Sequence, residues 1–343
     1  MKKNNYLFLF AIITGFLISI GNPAASAADM NYSVKAVIPE NQIDQSKTYF
    51  DLKMAAGEQQ EISLEIENSS DQDVTIQVDI NTATTNRNGV INYGESKGSK
   101  DSSLTYDISK LITGENEVVL LPKEKKTVNY MLTMPKKSFD GILLGGFYIH
   151  KKMTQEEIES EKNVQIKNDF SYIVGVKLTE TDKKIEPDLE LNTITPGLQN
   201  YRTVVNATLQ NTSPIIISGM TVDAKVSKEG SDKILHETKK DNQSMAPNSS
   251  YEFPISWDNQ ELKPGKYTLL LTANTEDKKG WNFKKNFEIK GDVKKLNKEA
   301  VEIEKKDNLY FYMIITLIAI LVVAGILFFI IKNKKSKKTK HII

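Results

Sequence analysis

Apolar and polar residues alternate one for one through most of this chain, and that period of two decides what it can fold into. Ile62, Leu64 and Ile66 stand between Glu61, Ser63, Glu65 and Glu67, and Val74, Ile76, Val78 and Ile80 between Thr75, Gln77 and Asp79. Side chains on a β-strand point alternately to opposite faces, so each run makes a strand with one apolar and one polar face. The stretch Asn68-Ser69-Ser70-Asp71-Gln72 between them has the composition of a turn. Residues 127–133, 141–149 and 170–178 continue the style.

The second half repeats it. Val205, Ala207 and Leu209 form one such row, Met220, Val222, Ala224 and Val226 the next. Tyr251, Phe253, Ile255 and Trp257 follow, then Tyr267, Leu269, Leu271 and Ala273, then 281–289. Short alternating strands separated by turns predict antiparallel sandwiches with one face buried. A faint duplication supports two copies of one plan. Ile66-Glu67-Asn68-Ser69-Ser70-Asp71 resembles Leu209-Gln210-Asn211-Thr212-Ser213-Pro214, and Leu121-Pro122 then Gly141 matches Ala246-Pro247 then Gly265. Convergent turn chemistry is the competing explanation.

The ends differ. Lys2 and Lys3, an apolar run over 6–20 and Ala25-Ser26-Ala27 have the order of a secretory signal, assigned to 1–28. Residues 309–331 carry no charge and no proline, and a helix of that length would reach roughly 35 Å, enough for a hydrocarbon core of about 30 Å. Six lysines follow within 332–343, which by the positive-inside rule predicts a cytoplasmic tail and an extracellular N-terminal part. The expectation is therefore an all-β chain of two tandem immunoglobulin-like sandwiches plus one C-terminal transmembrane helix in a cell membrane. The domains expected are 29–182 and 183–292, with a charged stalk at 293–308.

Taking the eight lysines at the two ends from the 45 Lys and Arg leaves 37, against 44 Asp and Glu. An acidic middle does not neutralise phosphates, which sets nucleic-acid binding aside. No cysteine is present, so the sandwiches stand on packing alone although an exported chain could form disulfides.

Candidate chemistry is thin. Gly94-Glu95-Ser96-Lys97-Gly98 has the letters of a nucleophile elbow, but it lies in a polar loop without strand-turn-helix context. His150, His236 and His341 are far apart, and no zinc constellation is visible. Asn86-Arg87-Asn88-Gly89 lacks the spaced acids of a calcium loop and reads as a hairpin turn. Thr154-Gln155-Glu156-Glu157 is a capping box that would open a short acidic helix over 158–162. The Asn-x-Ser/Thr triplets at Asn206, Asn242 and Asn248 read as polar turn chemistry, and Trp257 and Trp281 as core. No catalytic residue, metal site or cofactor is expected, and ligand-binding residues are not identifiable.

Several uncommon segments occur in a telling order. They are Ile38-Pro39-Glu40-Asn41-Gln42, Tyr49-Phe50-Asp51-Leu52, Thr85-Asn86-Arg87-Asn88-Gly89-Val90-Ile91-Asn92-Tyr93 and Phe139-Asp140-Gly141-Ile142-Leu143-Leu144-Gly145-Gly146. After them come Tyr172-Ile173-Val174-Gly175-Val176-Lys177-Leu178, Met245-Ala246-Pro247-Asn248-Ser249, Pro264-Gly265-Lys266-Tyr267 and Trp281-Asn282-Phe283-Lys284-Lys285. Over essentially the whole chain this resembles the WxL-interacting proteins of Gram-positive bacteria, whose profiles divide the domains near residue 160. The resemblance implies a non-enzymatic cell-surface adaptor. Its first domain would bind peptidoglycan and its second WxL-domain surface proteins. The chain has no Trp-x-Leu tripeptide itself, so it reads as the receptor side. An adhesin for host or matrix ligands is the alternative.

Overall fold

In the computed structural model, the structure describes residues 30–94, 100–153, 159, 170–301, 303 and 313–327. The signal segment 1–28, most of the Gly94–Gly98 stretch, the helix expected over 158–162 (Glu159 apart) and the tail 332–343 lie outside them.

The alternating runs are strands. The first sandwich pairs a sheet of order β1-β3-β9-β7 with one of order β2-β11-β10-β4-β8. Its strands are β1 (Tyr32–Val37), β2 (Phe50–Lys53), β3 (Gln59–Asn68), β4 (Val74–Thr82), β7 (Ile112–Gly114), β8 (Glu117–Leu120), β9 (Lys125–Thr133), β10 (Ile142–Lys151) and β11 (Ser171–Thr179). A separate hairpin is made by β5 (Thr84–Thr85) and β6 (Ile91–Asn92). The second sandwich faces β12 (Leu189–Gln199), β13 (Arg202–Asn211) and β16 (Ser249–Ser256) against β15 (Ile234–Met245), β14 (Ile217–Lys228), β17 (Gly265–Asn274) and β18 (Gly280–Ile289), in that spatial order. Two β-sandwiches consistent with immunoglobulin-like folds are present.

Each core is built from the predicted apolar rows. Ile62, Leu64, Ile66, Ile76 and Phe147 meet in the first, and Val205, Leu209, Val222, Phe253 and Leu271 in the second. The two share one strand plan. β3 lies between β1 and β9 as β13 lies between β12 and β16, and the order β11-β10-β4-β8 is matched by β18-β17-β14-β15.

They differ at one edge. In the first sandwich the chain leaves β1, crosses over and adds β2 alongside β11 in parallel, the one parallel pair among the described strands. In the second, β12 stays paired with β13 along its length, through a bulge between Leu191 and Ile194.

The rule of one solvated face fails at two strands. On β10, residues 143–147 are all buried, and on β13 the outward-pointing Asn206 and Gln210 are buried too. Leu144 and Gln210 on these outer faces meet the other sandwich at the junction.

The expected transmembrane helix is corrected. Among the described residues no helix is long and apolar enough to cross a membrane. Attachment by a spanning helix over 309–331, and the single-pass membrane location built on it, are withdrawn. The charged stretch after β18 is partly docked. Val293 is buried, and the Asn297 side chain bonds the backbone of Leu262, accepting from its N–H (2.9 Å) and donating to its carbonyl (3.0 Å).

Candidate functional site: the junction between the sandwiches

The motif Thr85–Tyr93 builds the β5–β6 hairpin. Asn86 N–H donates to the Val90 carbonyl (3.0 Å), and Gly89 N–H to the Asn86 carbonyl (2.9 Å). The Asn86 carboxamide oxygen accepts from the N–H groups of Asn88 (2.9 Å) and Val90 (3.2 Å). That oxygen is thus engaged by backbone, as the hairpin reading requires. Gly89 closes the turn at φ 68°, a left-handed conformation that favours glycine.

The hairpin is a clasp. Ser244 N–H donates to the Gly89 carbonyl (2.7 Å), and Ala246 N–H to the Thr85 hydroxyl (3.0 Å). Thr85 and Ser249 share a hydroxyl–hydroxyl bond of 2.6 Å, and Arg87 pairs with Glu252. Beside it, Ile142 N–H donates to the Pro214 carbonyl (2.7 Å). A small apolar cluster of Ala83, Leu144 and Ala246, flanked by Ile91, Tyr93, Ile142 and Ile216, seals the contact. Direct backbone bonds and an apolar plug both join the sandwiches, so they meet as one body rather than through a loose linker.

Asp101 is the polar hub. Its carboxylate accepts from Ser103 N–H (2.9 Å), the Ser103 hydroxyl (2.6 Å), Gln210 Nε2 (2.7 Å) and the Ser250 hydroxyl. Burial pushes its pKa up, but these hydrogen bonds outweigh it and hold the carboxyl below its ordinary 3.8. Asn248 adds a bond from Nδ2 to the Ser103 hydroxyl (3.2 Å).

Next to this hub lies a cavity of about 600 Å³, walled by both sandwiches. Asn81, Thr84, Ser102 and Asp107 line it from one side, Asn192 and Gln210 from the other. Hydroxyls and carboxamides dominate, and its lysine, Lys100, is neutralised by an ion pair with Asp107. The Asp101 carboxylate also lies on the wall and leaves it one net negative charge; donors, acceptors and a single acceptor carboxylate suit the hydroxyls of a saccharide.

The remaining candidates fall elsewhere. Among the described residues no group of side chains is arranged to hold a metal. His236 is buried beneath Trp257, rings stacked at 3.9 Å, with Nδ1 2.7 Å from the Asp258 carboxylate, while His150 lies in the other sandwich. Trp257 is core, as expected; Trp281 is only partly buried on β18. Of the Asn-x-Ser/Thr positions, Asn206 is buried and Asn248 is in the junction. Gly94 lines the cavity. Asp101 and Gln210 were not foreseen. Met245–Ser249 was singled out for its letters, and its work is to hold the junction.

The sequence matches two family models, "WxL Interacting Protein, peptidoglycan binding domain" over residues 32–151 and "WxL Interacting Protein, host binding domain" over 161–298. The chain belongs to the WxL-interacting protein family. Both matched domains of this WxL-interacting protein are non-catalytic, and the protein is not an enzyme. The second match begins ahead of β11, a strand that pairs with β10 and β2 of the first sandwich. No curated protein matches the chain. Solved structures similar to it include the class 5 fimbriae chaperone CfaA (12% identity, 75% of this chain and 98% of that one, TM-score 0.29) and the YadV chaperone (10%, 75% and 100%, 0.30). The CupB2 chaperone of Pseudomonas aeruginosa is another (11%, 66% and 91%, 0.26). Scores this low carry no functional argument.

Proposed function

We propose that this WxL-interacting protein is a cell-wall-associated adaptor whose first sandwich binds peptidoglycan and whose second binds WxL-domain proteins. The observation that carries the reading is the succession of the two family domains along one chain. The clasped junction supports it, because a rigid joint holds two binding faces at a fixed separation. We assign 29–182 to the wall-binding arm and 183–292 to the protein-binding arm, since β11 completes a sheet of the first sandwich. The junction cavity is the proposed seat of a wall saccharide, matched by its lining of hydroxyls, carboxamides and the Asp101 carboxylate.

Sedimentation of the chain with insoluble peptidoglycan, and separately its binding to a soluble WxL-domain protein, tests the reading. Binding to both is expected; binding to neither removes it. A second reading is favoured by the description of the matched 161–298 domain as host-binding. In it, that sandwich is an adhesin for host ligands. Host-ligand binding by a chain that ignores WxL-domain proteins would establish it.

A further inference from the structure

The two sandwiches share a plan, so a strand present in one and missing from the other marks an open place. β11 pairs with β10 exactly as β18 pairs with β17, and both central strands follow a glycine of positive φ, Gly141 or Gly265. The other edge of β11 is covered. There β2 runs parallel to it, with Phe50 opposite Val176, Asp51 opposite Lys177 and Leu52 opposite Leu178. Phe50 and Leu52 are fully buried, and the Phe50 ring meets Phe147 edge-on at 6.2 Å. This pair of apolar residues, two apart, closes the side of the first sandwich.

Among the described residues nothing of the kind covers β18, and β17 is its one strand neighbour. Its inward row is Trp281, Phe283, Lys285 and Phe287, opposite Ala273, Leu271, Leu269 and Tyr267. The four opposite residues are buried, whereas Trp281, Phe283 and Phe287 are only partly so. Counted from the two glycines, the places held by Val176 and Leu178 on β11 fall to Lys285 and Phe287 on β18.

Lys285 is the telling substitution. It points inward, stays exposed, and its Nζ donates to the carbonyls of Leu191 (3.2 Å) and Asn192, at the β12 bulge. An inward lysine on an edge strand discourages indiscriminate edge-to-edge pairing while leaving the edge unpaired. Its long chain can also leave for solvent when something better fills the site. The opposite edge, β15, is broken by three register shifts and offers a poorer template.

We propose that the outer edge of β18 receives an extended segment of the WxL-domain partner, parallel to β18. The Trp-x-Leu tripeptide would stand where Phe50-Asp51-Leu52 stands in the first sandwich. The inference rests on the second sandwich being the WxL-binding arm. Main-chain pairing to the edge supplies affinity and the two alternate apolar side chains supply specificity, as in other strand-addition complexes. The tryptophan lies opposite Lys285 and takes the space that side chain vacates. The leucine packs on Phe287.

The test is binding of the full chain to a WxL-domain protein and to a synthetic peptide carrying Trp-x-Leu, with hydrogen exchange mapping the contact. Protection is expected on β18, and Phe287→Lys should weaken both ligands about tenfold or more, the effect of losing burial of one large apolar group. Ile234→Lys on β15 should leave binding unchanged. Lys285→Val keeps the test valid should Phe287→Lys misfold, and it should tighten binding by removing the guard. Protection confined to other strands, or affinity indifferent to both β18 variants, overturns the edge assignment and leaves the adaptor reading standing. A wild-type chain that binds no WxL-domain protein overturns that reading and this inference with it.

Discussion

Asn68 and Asn211 hold the same post in the two sandwiches. Each is fully buried at the end of its strand, and each carboxamide oxygen accepts from the N–H two residues on, Ser70 at 2.9 Å and Ser213 at 3.1 Å. The Asn68 amide donates to the carbonyls of Gln72 (2.7 Å) and Leu121 (2.9 Å), the Asn211 amide to those of Ile215 (2.8 Å) and Ala246 (2.9 Å). Leu121 and Ala246 each precede a proline. One side chain thus ties the turn between two central strands to the entry of a third.

Removing it strands buried carbonyls. Asn211→Ala should cost about 2–3 kcal/mol, and Asn68→Ala a similar amount, since an unsatisfied buried polar group costs about 1–3 kcal/mol. Denaturant midpoints of the two variants test this. A loss confined to one of them would break the equivalence.

Gly141 tests the junction. It adopts φ 87°, and a Cβ there would stand 2.4 Å from the Pro214 carbonyl oxygen. Gly141→Ala pays about 1–2 kcal/mol for its left-handed backbone and must also displace that carbonyl, the acceptor for Ile142 N–H. We expect the sandwiches to part while each keeps its strands. Small-angle scattering should report a larger radius of gyration, with an unchanged far-ultraviolet spectrum.

Asp101 makes the junction acid-sensitive. Its carboxyl titrates lower in the folded chain than in the unfolded one. The stabilisation is therefore complete above the ordinary carboxylate range and disappears as pH falls through the folded value. Opening of the junction, followed by proteolysis near the clasp, should rise below about pH 4. Asp101→Asn should flatten that response and weaken the junction at neutral pH by about 1.5–3 kcal/mol, the worth of hydrogen bonds to a charged group.

Ser102 tests the cavity. It is exposed on the cavity wall. Ser102→Trp should fill the space and reduce sedimentation with peptidoglycan several-fold, with the melting temperature unchanged. Undiminished sedimentation would place the wall site elsewhere.

Much of the fold was legible because burial on a strand enforces a period of two. The row Met220, Val222, Ala224 and Val226 is completely buried, as its alternation demands. The junction was not legible. Gln210 is a polar residue on an outward position, and alternation alone assigns such a residue to water; only its contact with Asp101 across the junction puts it inside. The Met245–Ser249 and Thr85–Tyr93 segments stood out as letters, but pairing them needed the fold. β2 was invisible as a parallel strand because four residues give too short a period to reveal their partner. The hydropathy of 309–331 predicts a spanning helix, whereas among the described residues no helix is long and apolar enough to cross a membrane.

Simultaneous occupancy is the most direct test of the adaptor. Insoluble peptidoglycan is loaded with the chain and washed, and depletion of a soluble WxL-domain protein from the supernatant is then measured. Depletion should rise in proportion to the chain retained on the wall and fall sharply with a Phe287→Lys chain retained equally well. Depletion independent of the amount of chain, or displacement of the chain from the wall by the WxL-domain protein, would contradict two arms working at once.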